Sequence, residues 1–323
     1  MELTLPDDVP ALVAASITSA SIETWIGGVR SVDDPTPVVA GDRFHLGSNA
    51  KAMTATVTAL AVDEGRLEWD DDAADVLGRG RAGGATIERL LSHTAGVLPL
   101  TEDADLVGLS RDRLEVAAFL LEEPPRFEPG TMAEYSNGGY AVVSAVLERV
   151  FGAPFEVILA ERLFDPLRMD AGFGWPSGPR GHYSRSGRLE SQTDDGYAVP
   201  PALTGAGDVC STIDGYAQFV QCHLRGLRGA PGLLSVDSFR RLHTPVDGNF
   251  ALGWGVQEWE GERTSVHAGS AETFYAVVVL QAERDFAAAA IVNAGGEKAA
   301  ERTIEVVRAL ARARPTLTDL PAS

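Results

Sequence analysis

The sequence predicts an α+β protein in which an antiparallel sheet is flanked by helices and a helical lobe is inserted between the strands that build the sheet. Three observations carry this. Short β-type runs bounded by turn signals lie towards both ends of the chain, and a long stretch between them follows helical patterning. The 323 residues, 45% hydrophobic and 23% charged, are enough for one large domain or for two lobes sharing a core. The expected division puts residues 1–74 and 236–323 in a lobe built on the sheet and residues 75–235 in a mainly helical lobe, with a site in the cleft between them.

A short first helix is expected before Ser21. "SIETWIGGVRSV" then reads as a strand ending in the turn "DDPTP", and "VVAGDRFHLGS" as a second extended stretch. From Asn49 to Glu64 the residues are mostly Ala, Met, Thr, Val and Leu without Gly or Pro, which predicts a helix buried on all sides and stopped by Gly65. Helical segments follow at "TIERLLSH", "RLEVAAFLLEE", "GYAVVSAVLERVF" and "FEVILAERLFDPL". Residues 176–207, rich in Gly, Pro, Ser and Asp, read as a long surface loop. "FALGWGVQEWE", "RTSVHAG", "TFYAVVVLQAE" and "FAAAAIVNA" return to strands, and "EKAAERTIEVVRALARA" closes as a helix.

The totals exclude several function classes. A formal charge of −19 repels phosphate backbones and anionic headgroups, so neither a nucleic acid nor a membrane is an expected partner. Cys210 and Cys222 lack any metal-ligand spacing and read as small buried hydrophobes, and no metal or cofactor is expected. The N-terminus has no basic segment before its apolar run, and no run approaches the roughly 18 apolar residues of a membrane span. The expected location is cytoplasmic. There is no G-x-S-x-G elbow, H-E-x-x-H, P-loop or complete G-x-G-x-x-G.

Three patterns carry chemistry. Ser48 and Lys51, one of only two lysines, sit three apart at the start of the apolar helix and so share a face. A serine is a poor nucleophile until a base takes its proton, and a lysine serves as that base only when burial or a neighbouring cation depresses its pKa. Arginine, protonated above pH 12, would not do. Tyr135 and Asn137 sit on a turn before a helix, the phenol as a second acid/base and the amide to orient a substrate. His267, Ala268 and Gly269 lie on a strand, where Gly269 lets backbone approach a ligand and the Ser270 N–H is a candidate oxyanion donor beside that of Ser48.

The order S-x-x-K, Y-x-N, H-x-G, with "TIERLLSHTAGV", "FEPGTMAEYSN", "AERLFDPLRMDAGFG" and "GAGDVCSTIDGYAQF" around it, resembles the penicillin-recognising serine hydrolases. The branch is that of class C β-lactamases, D-alanyl-D-alanine carboxypeptidases, D-aminopeptidases and related esterases, and the likeness covers nearly the whole chain. It implies a β-lactamase/transpeptidase-like fold with Ser48 as acylated nucleophile, Lys51 as its base and Tyr135 as the acid/base that activates the deacylating water. It implies substrate-binding roles for Asn137, His267, Gly269 and Ser270, with His267 in the place of a cationic lysine.

The departure is His267-Ala268-Gly269 where most β-lactamases of the branch carry Lys-Thr-Gly. Loss of that hydroxyl and of a permanent cation points away from β-lactams and towards a small ester, amide or short peptide as substrate. The expected function is therefore a serine hydrolase of esterase or D-amino-acid amidase type. The alternatives are a transacylase or peptide cyclase using the same acyl-enzyme, and a binding protein that keeps the fold without turnover. Glu272 reads as a solvated carboxylate, His93 as part of a helix-ending turn outside the site, and Trp254 and Tyr275 as candidate walls of an acyl pocket.

Overall fold

The computed structural model describes residues 5, 8–81, 83–101, 108–110, 112–185, 188–193, 199–230, 232–259 and 261–313. Strands β1 (Ala11–Ile17), β2 (Ile22–Gly28) and the short β3 (Phe44–His45) lead to a 3₁₀ turn (Gly47–Asn49) that runs straight into helix α1 (Ala50–Asp63). Helices α2 (Ala73–Leu77), α3 (Ile87–Leu91), α4 (Arg113–Glu122), α5 (Asn137–Phe151) and α6 (Phe155–Leu159) follow, then a π turn (Ala160–Phe164) and α7 (Asp165–Leu167). Strand β4 (Ala171–Phe173), the hairpin β5 (His182–Arg185) and β6 (Arg188–Ser191), helix α8 (Thr204–Gly207) and β7 (Val209–Ser211) come next. Helices α9 (Ile213–Leu227) and α10 (Val236–Leu242) precede β8 (Gly255–Trp259), β9 (Glu262–Ser270), β10 (Tyr275–Gln281), β11 (Phe286–Val292) and the closing α11 (Glu297–Arg312).

The main sheet has the order β2-β1-β11-β10-β9-β8, and all its pairings are antiparallel. Both termini feed it. Its centre is covered on both faces: Ala287, Ala289 and Ile291 of β11 join the main core, while Phe286, Ala288, Ala290 and Val292 pack with Val306, Val307 and Leu310 of α11. The run of four alanines in β11 keeps that strand thin where helices cover both its faces.

The first helix expected from the sequence is strand β1 instead. "ALVAASI" lacks period-2 alternation because its odd residues enter the main core and Leu12 and Ala14 enter the other, which leaves the half-buried Ser16 as its single polar residue. Pairing with β2 and β11 overrides the helical preference of its alanines.

The stretch expected to be helical also holds strands, with β4 and β7 joining β3 in a small sheet. The segment 176–207 is only partly a surface loop, and its residues 186–187 and 194–198 lie outside the described residues. Its hairpin is stapled to the main sheet by buried His182, whose Nε2 accepts from Val32 N–H at 3.1 Å while Nδ1–H donates to the Asn293 carbonyl at 2.6 Å. Its end folds into α8 against α1, with Ala202, Ala206 and Thr204 buried.

Helix α1 is buried on all sides from Ala50 to Ala59, as its composition predicts. Its polar side chains are satisfied locally: Thr56 and Thr58 hydroxyls donate to the carbonyls four residues back at 2.7 and 2.9 Å, and Thr54 donates to Gly205 O at 2.7 Å. Cys210 is buried and Cys222 half-buried, and both thiols are free.

Candidate active site

Ser48 stands in the 3₁₀ turn at the head of α1, and the lysine three residues on is fully buried. Lys51 Nζ lies 3.2 Å from Ser48 Oγ, 2.7 Å from Asn137 Oδ1 and 2.6 Å from the Ala206 carbonyl. Burial holds the Lys51 amine well below the ordinary lysine pKa. A neutral amine has two N–H groups and one lone pair. Ala206 O only accepts, and Asn137 presents its oxygen because its Nδ2 donates to Leu100 O at 3.0 Å. In that neutral form both N–H groups are committed, which leaves the lone pair for the hydroxyl of Ser48.

Tyr135 completes the contact from the other side. Its hydroxyl donates to Ser48 Oγ at 2.7 Å, and burial pushes its pKa up to about 12, so the phenol is protonated at neutral pH. That favours a proton-donor role over a resting phenolate. Ser136 caps α5 by accepting from Gly139 N–H at 2.9 Å, which places Asn137 on the first turn facing Lys51. Both ends of the Asn137 amide are used within the protein, so this residue orients Lys51 as well as lining the cleft.

The third pattern arrives from β9. A Cβ on Gly269 would stand 2.1 Å from Leu46 O and 2.9 Å from Ser48 N, so only glycine lets the strand lie against the nucleophile turn. Gly47, at φ +52, approaches Ser270 as closely: a Cβ there would meet Ser270 N at 2.9 Å. The backbones of Ser48 and Ser270 thus flank one spot. His267 is half-buried, and desolvation lowers its pKa to about 4. The position expected to hold a conditional cation therefore holds a neutral imidazole at pH 7.

Ser48, Asn137, Ala206, Gly207, Ser270 and Glu272 share a cavity of about 190 Å³ with Leu100, Thr101, Val199, Leu203 and Ala271. Trp254 and Tyr275, expected as pocket walls, are elsewhere. Trp254 is buried and packs on His243, with ring centroids 4.7 Å apart. Tyr275 lines a groove under α11 with Val277 and Ile304, on the far face of the sheet.

His93 does belong to a helix-ending turn, at φ +65, yet it is not remote from the site. Its ring lies 4.7 Å from that of Tyr135, and its Nδ1 accepts from Ser136 N–H at 3.1 Å. Sequence reading missed two further contacts, the Ala206 carbonyl and the support under Gly47. Gly47 N–H donates to His45 Nδ1 at 3.1 Å, which leaves His45 Nε2–H to meet Asp208 Oδ1 at 3.2 Å. A carbonyl carries no side-chain signal, and a histidine three residues before Ser48 is visible only as a residue type.

Comparison with known proteins identifies the family. The family model described as Beta-lactamase matches residues 7–312. The chain belongs to the Beta-lactamase family. Among members, the unguisins hydrolase ungD' of Aspergillus campestris (strain IBT 28561) is 28% identical over 307 residues, covering 84% of this chain and 56% of that protein. The chain thus spans little more than half the length of that relative. Penicillin-binding protein 4 of Amycolatopsis lactamdurans is 26% identical over 316 residues, covering 89% of this chain and 81% of the relative. The crystal structure of a D-stereospecific amidohydrolase from Streptomyces superposes with a TM-score of 0.71 at 21% identity, covering 93% and 94% of the two chains, and shares the fold. The fold is accordingly the mixed α+β arrangement of β-lactamases and penicillin-binding proteins. Among the described residues no helix is long and apolar enough to cross a membrane.

Proposed function

We propose that this Beta-lactamase family protein is a serine hydrolase that cleaves a small ester or amide through an acyl-enzyme on Ser48. One observation carries the reading: the Ser48 hydroxyl lies between a buried lysine whose N–H groups are committed elsewhere and a protonated tyrosine.

As Ser48 Oγ bonds to the substrate carbonyl carbon, its proton passes to the lone pair of Lys51, and the oxyanion is met by the Ser48 and Ser270 N–H groups. The bond to the leaving group then breaks as Tyr135 gives it a proton, and the Lys51 ammonium makes good that proton. Water next adds to the acyl carbon, passing its proton through the Tyr135 hydroxyl to Lys51, and Ser48 departs as Lys51 returns that proton to its oxygen. The acid product is released and every group returns to its starting state.

The relatives named as hydrolase and amidohydrolase support hydrolysis as the reaction. A neutral His267 beside Ala268 gives a β-lactam carboxylate no cation, which favours esters and simple amides over cephalosporins. A fluorophosphonate probe tests the reading: the expected result is one adduct on Ser48, absent from Ser48→Ala. An adduct that persists in that variant overturns it. A screen across short-chain esters, D-amino-acid amides and a chromogenic cephalosporin is expected to rank them in that order.

A further inference from the structure

Glu272 is the one charged side chain among the described residues lining the cavity that holds Ser48. It is exposed to that cavity, and its carboxylate has no ion-pair partner among the described residues. Its backbone is not free to carry it away. Glu272 sits at φ +54, a left-handed conformation that costs a non-glycine residue about 1 kcal/mol. The turn is fixed by Ala271 N–H donating to Phe274 O at 3.1 Å and by Glu272 N–H donating to Ser270 Oγ at 3.3 Å. Beneath it, a Cβ on Gly295 would stand 1.5 Å from Glu272 O, so the backbone after β11 props the turn from below.

The cavity has a direction. Ser48 lines it, but Tyr135 and His267 do not. If Tyr135 protonates the leaving group, the leaving group departs on the Tyr135 side and the acyl half of the substrate occupies the space between Ser48 and Glu272. Asn137 spends its oxygen on Lys51, and among the described residues no other group lining the cavity carries charge. An acyl group with a carboxylate would meet uncompensated repulsion there, whereas an ammonium would meet an unpaired carboxylate.

We propose that Glu272 is a specificity residue that selects substrates whose acyl half carries an ammonium, making the protein a hydrolase of aminoacyl esters or amides. This rests on the acyl-enzyme reading above. Glu272 touches no reacting atom, so its effect falls on which acyl group is taken and not on the chemistry at Ser48.

The test compares kcat/KM for alanyl and 4-aminobutyryl 4-nitroanilides, each against its counterpart lacking the amine, in the wild type and in Glu272→Gln. The readout is the ratio within each pair, because an α-ammonium alters intrinsic reactivity equally in both proteins. For at least one length the ratio is expected to fall about fivefold or more in Glu272→Gln. Ratios that agree within about twofold for both lengths overturn the proposal. A measurement on the wild type keeps it open to refutation should the variant fail to fold. Butylamine is expected to inhibit acetyl-ester turnover at about fivefold lower concentration than butyrate, and equal or reversed potency overturns the proposal. If the wild type turns over no acetyl ester and Ser48 takes no probe, the acyl-enzyme reading itself fails and this inference with it. Ester turnover without amine discrimination sinks the Glu272 role alone.

Discussion

Two buried polar networks hang on the same helix and strand, and they are built for opposite ends. Around Lys51, Ser48, Tyr135 and Asn137 meet at the edge of a cavity. Five residues further along α1, Thr56 begins a second chain: Thr56 Oγ1 contacts His223 Nε2 at 3.0 Å, His223 Nδ1 contacts His243 Nε2 at 2.9 Å, and His243 Nδ1 contacts Ser265 Oγ at 2.7 Å. Ser265 lies on β9, two residues before His267.

The tautomers of the second network follow from its end. The Thr56 hydroxyl donates to Ala52 O, so it accepts from His223 Nε2–H. His223 Nδ1 must then accept from His243 Nε2–H, and His243 Nδ1 from the Ser265 hydroxyl. Every link is committed in one direction and both imidazoles are buried, although His243 and Ser265 also line a cavity of about 290 Å³. The first network differs in one respect. Its serine lies between an amine and a phenol, Lys51 Nζ at 3.2 Å and the Tyr135 hydroxyl at 2.7 Å, whereas Ser265 meets a single imidazole.

Breaking the lysine network is expected to cost activity. Lys51→Arg places a permanent cation without a lone pair beside Ser48, and kcat for an ester substrate is expected to fall about 1,000-fold with Ser48 still present. A fall of less than tenfold would remove Lys51 as the base. Tyr135→Phe is expected to lower kcat about 100-fold with little change in KM, because the ring still packs on His93 while the proton donor is gone. Steady-state kinetics on one short-chain ester checks both.

Breaking the histidine network is expected to cost stability instead. His243→Phe strands the Ser265 hydroxyl and His223 Nδ1 without partners, a loss of about 3 kcal/mol in denaturant unfolding. Kinetic constants of the folded variant should stay within about twofold of the wild type. A large kcat loss there would mean that the two networks communicate through β9.

Acid separates them most finely. Burial drives the pKa of His223 down to about 3 and that of His243 well below the ordinary value. Below about pH 6.5 the unfolded chain takes up protons that the folded chain refuses, so folding stability falls with pH by about 1.4 kcal/mol per unit for each histidine. That slope should be shallower in His243→Phe. The activity limb has its own cause. Lys51 is active as the free amine, so kcat/KM is expected to rise with pH through its depressed pKa and then level off.

Some of this was written in the sequence. Ser48 and Lys51 share a face because three residues make nearly one helical turn, and the apolar run after them foretells their burial. The strands β8 to β11 and helix α11 announce themselves by turn residues and period. β1 does not, because a strand covered on both faces loses its alternation. The hairpin inside 176–207 was likewise hidden, since His182 gains its meaning only from Val32 and Asn293 far away in the chain.

The sequence by itself therefore determined the local chemistry, a serine and a lysine on one turn, and the need for a site where backbone replaces side chain at Gly269. Tertiary structure alone decided the protonation states. On the proposed mechanism Lys51 is a base because the packing of α1, α5 and α8 around it strips its amine of solvent. His267 becomes neutral, and His93 becomes the backing of Tyr135, for the same reason: desolvation depends on what the whole chain packs around a group, and no short stretch of sequence encodes it.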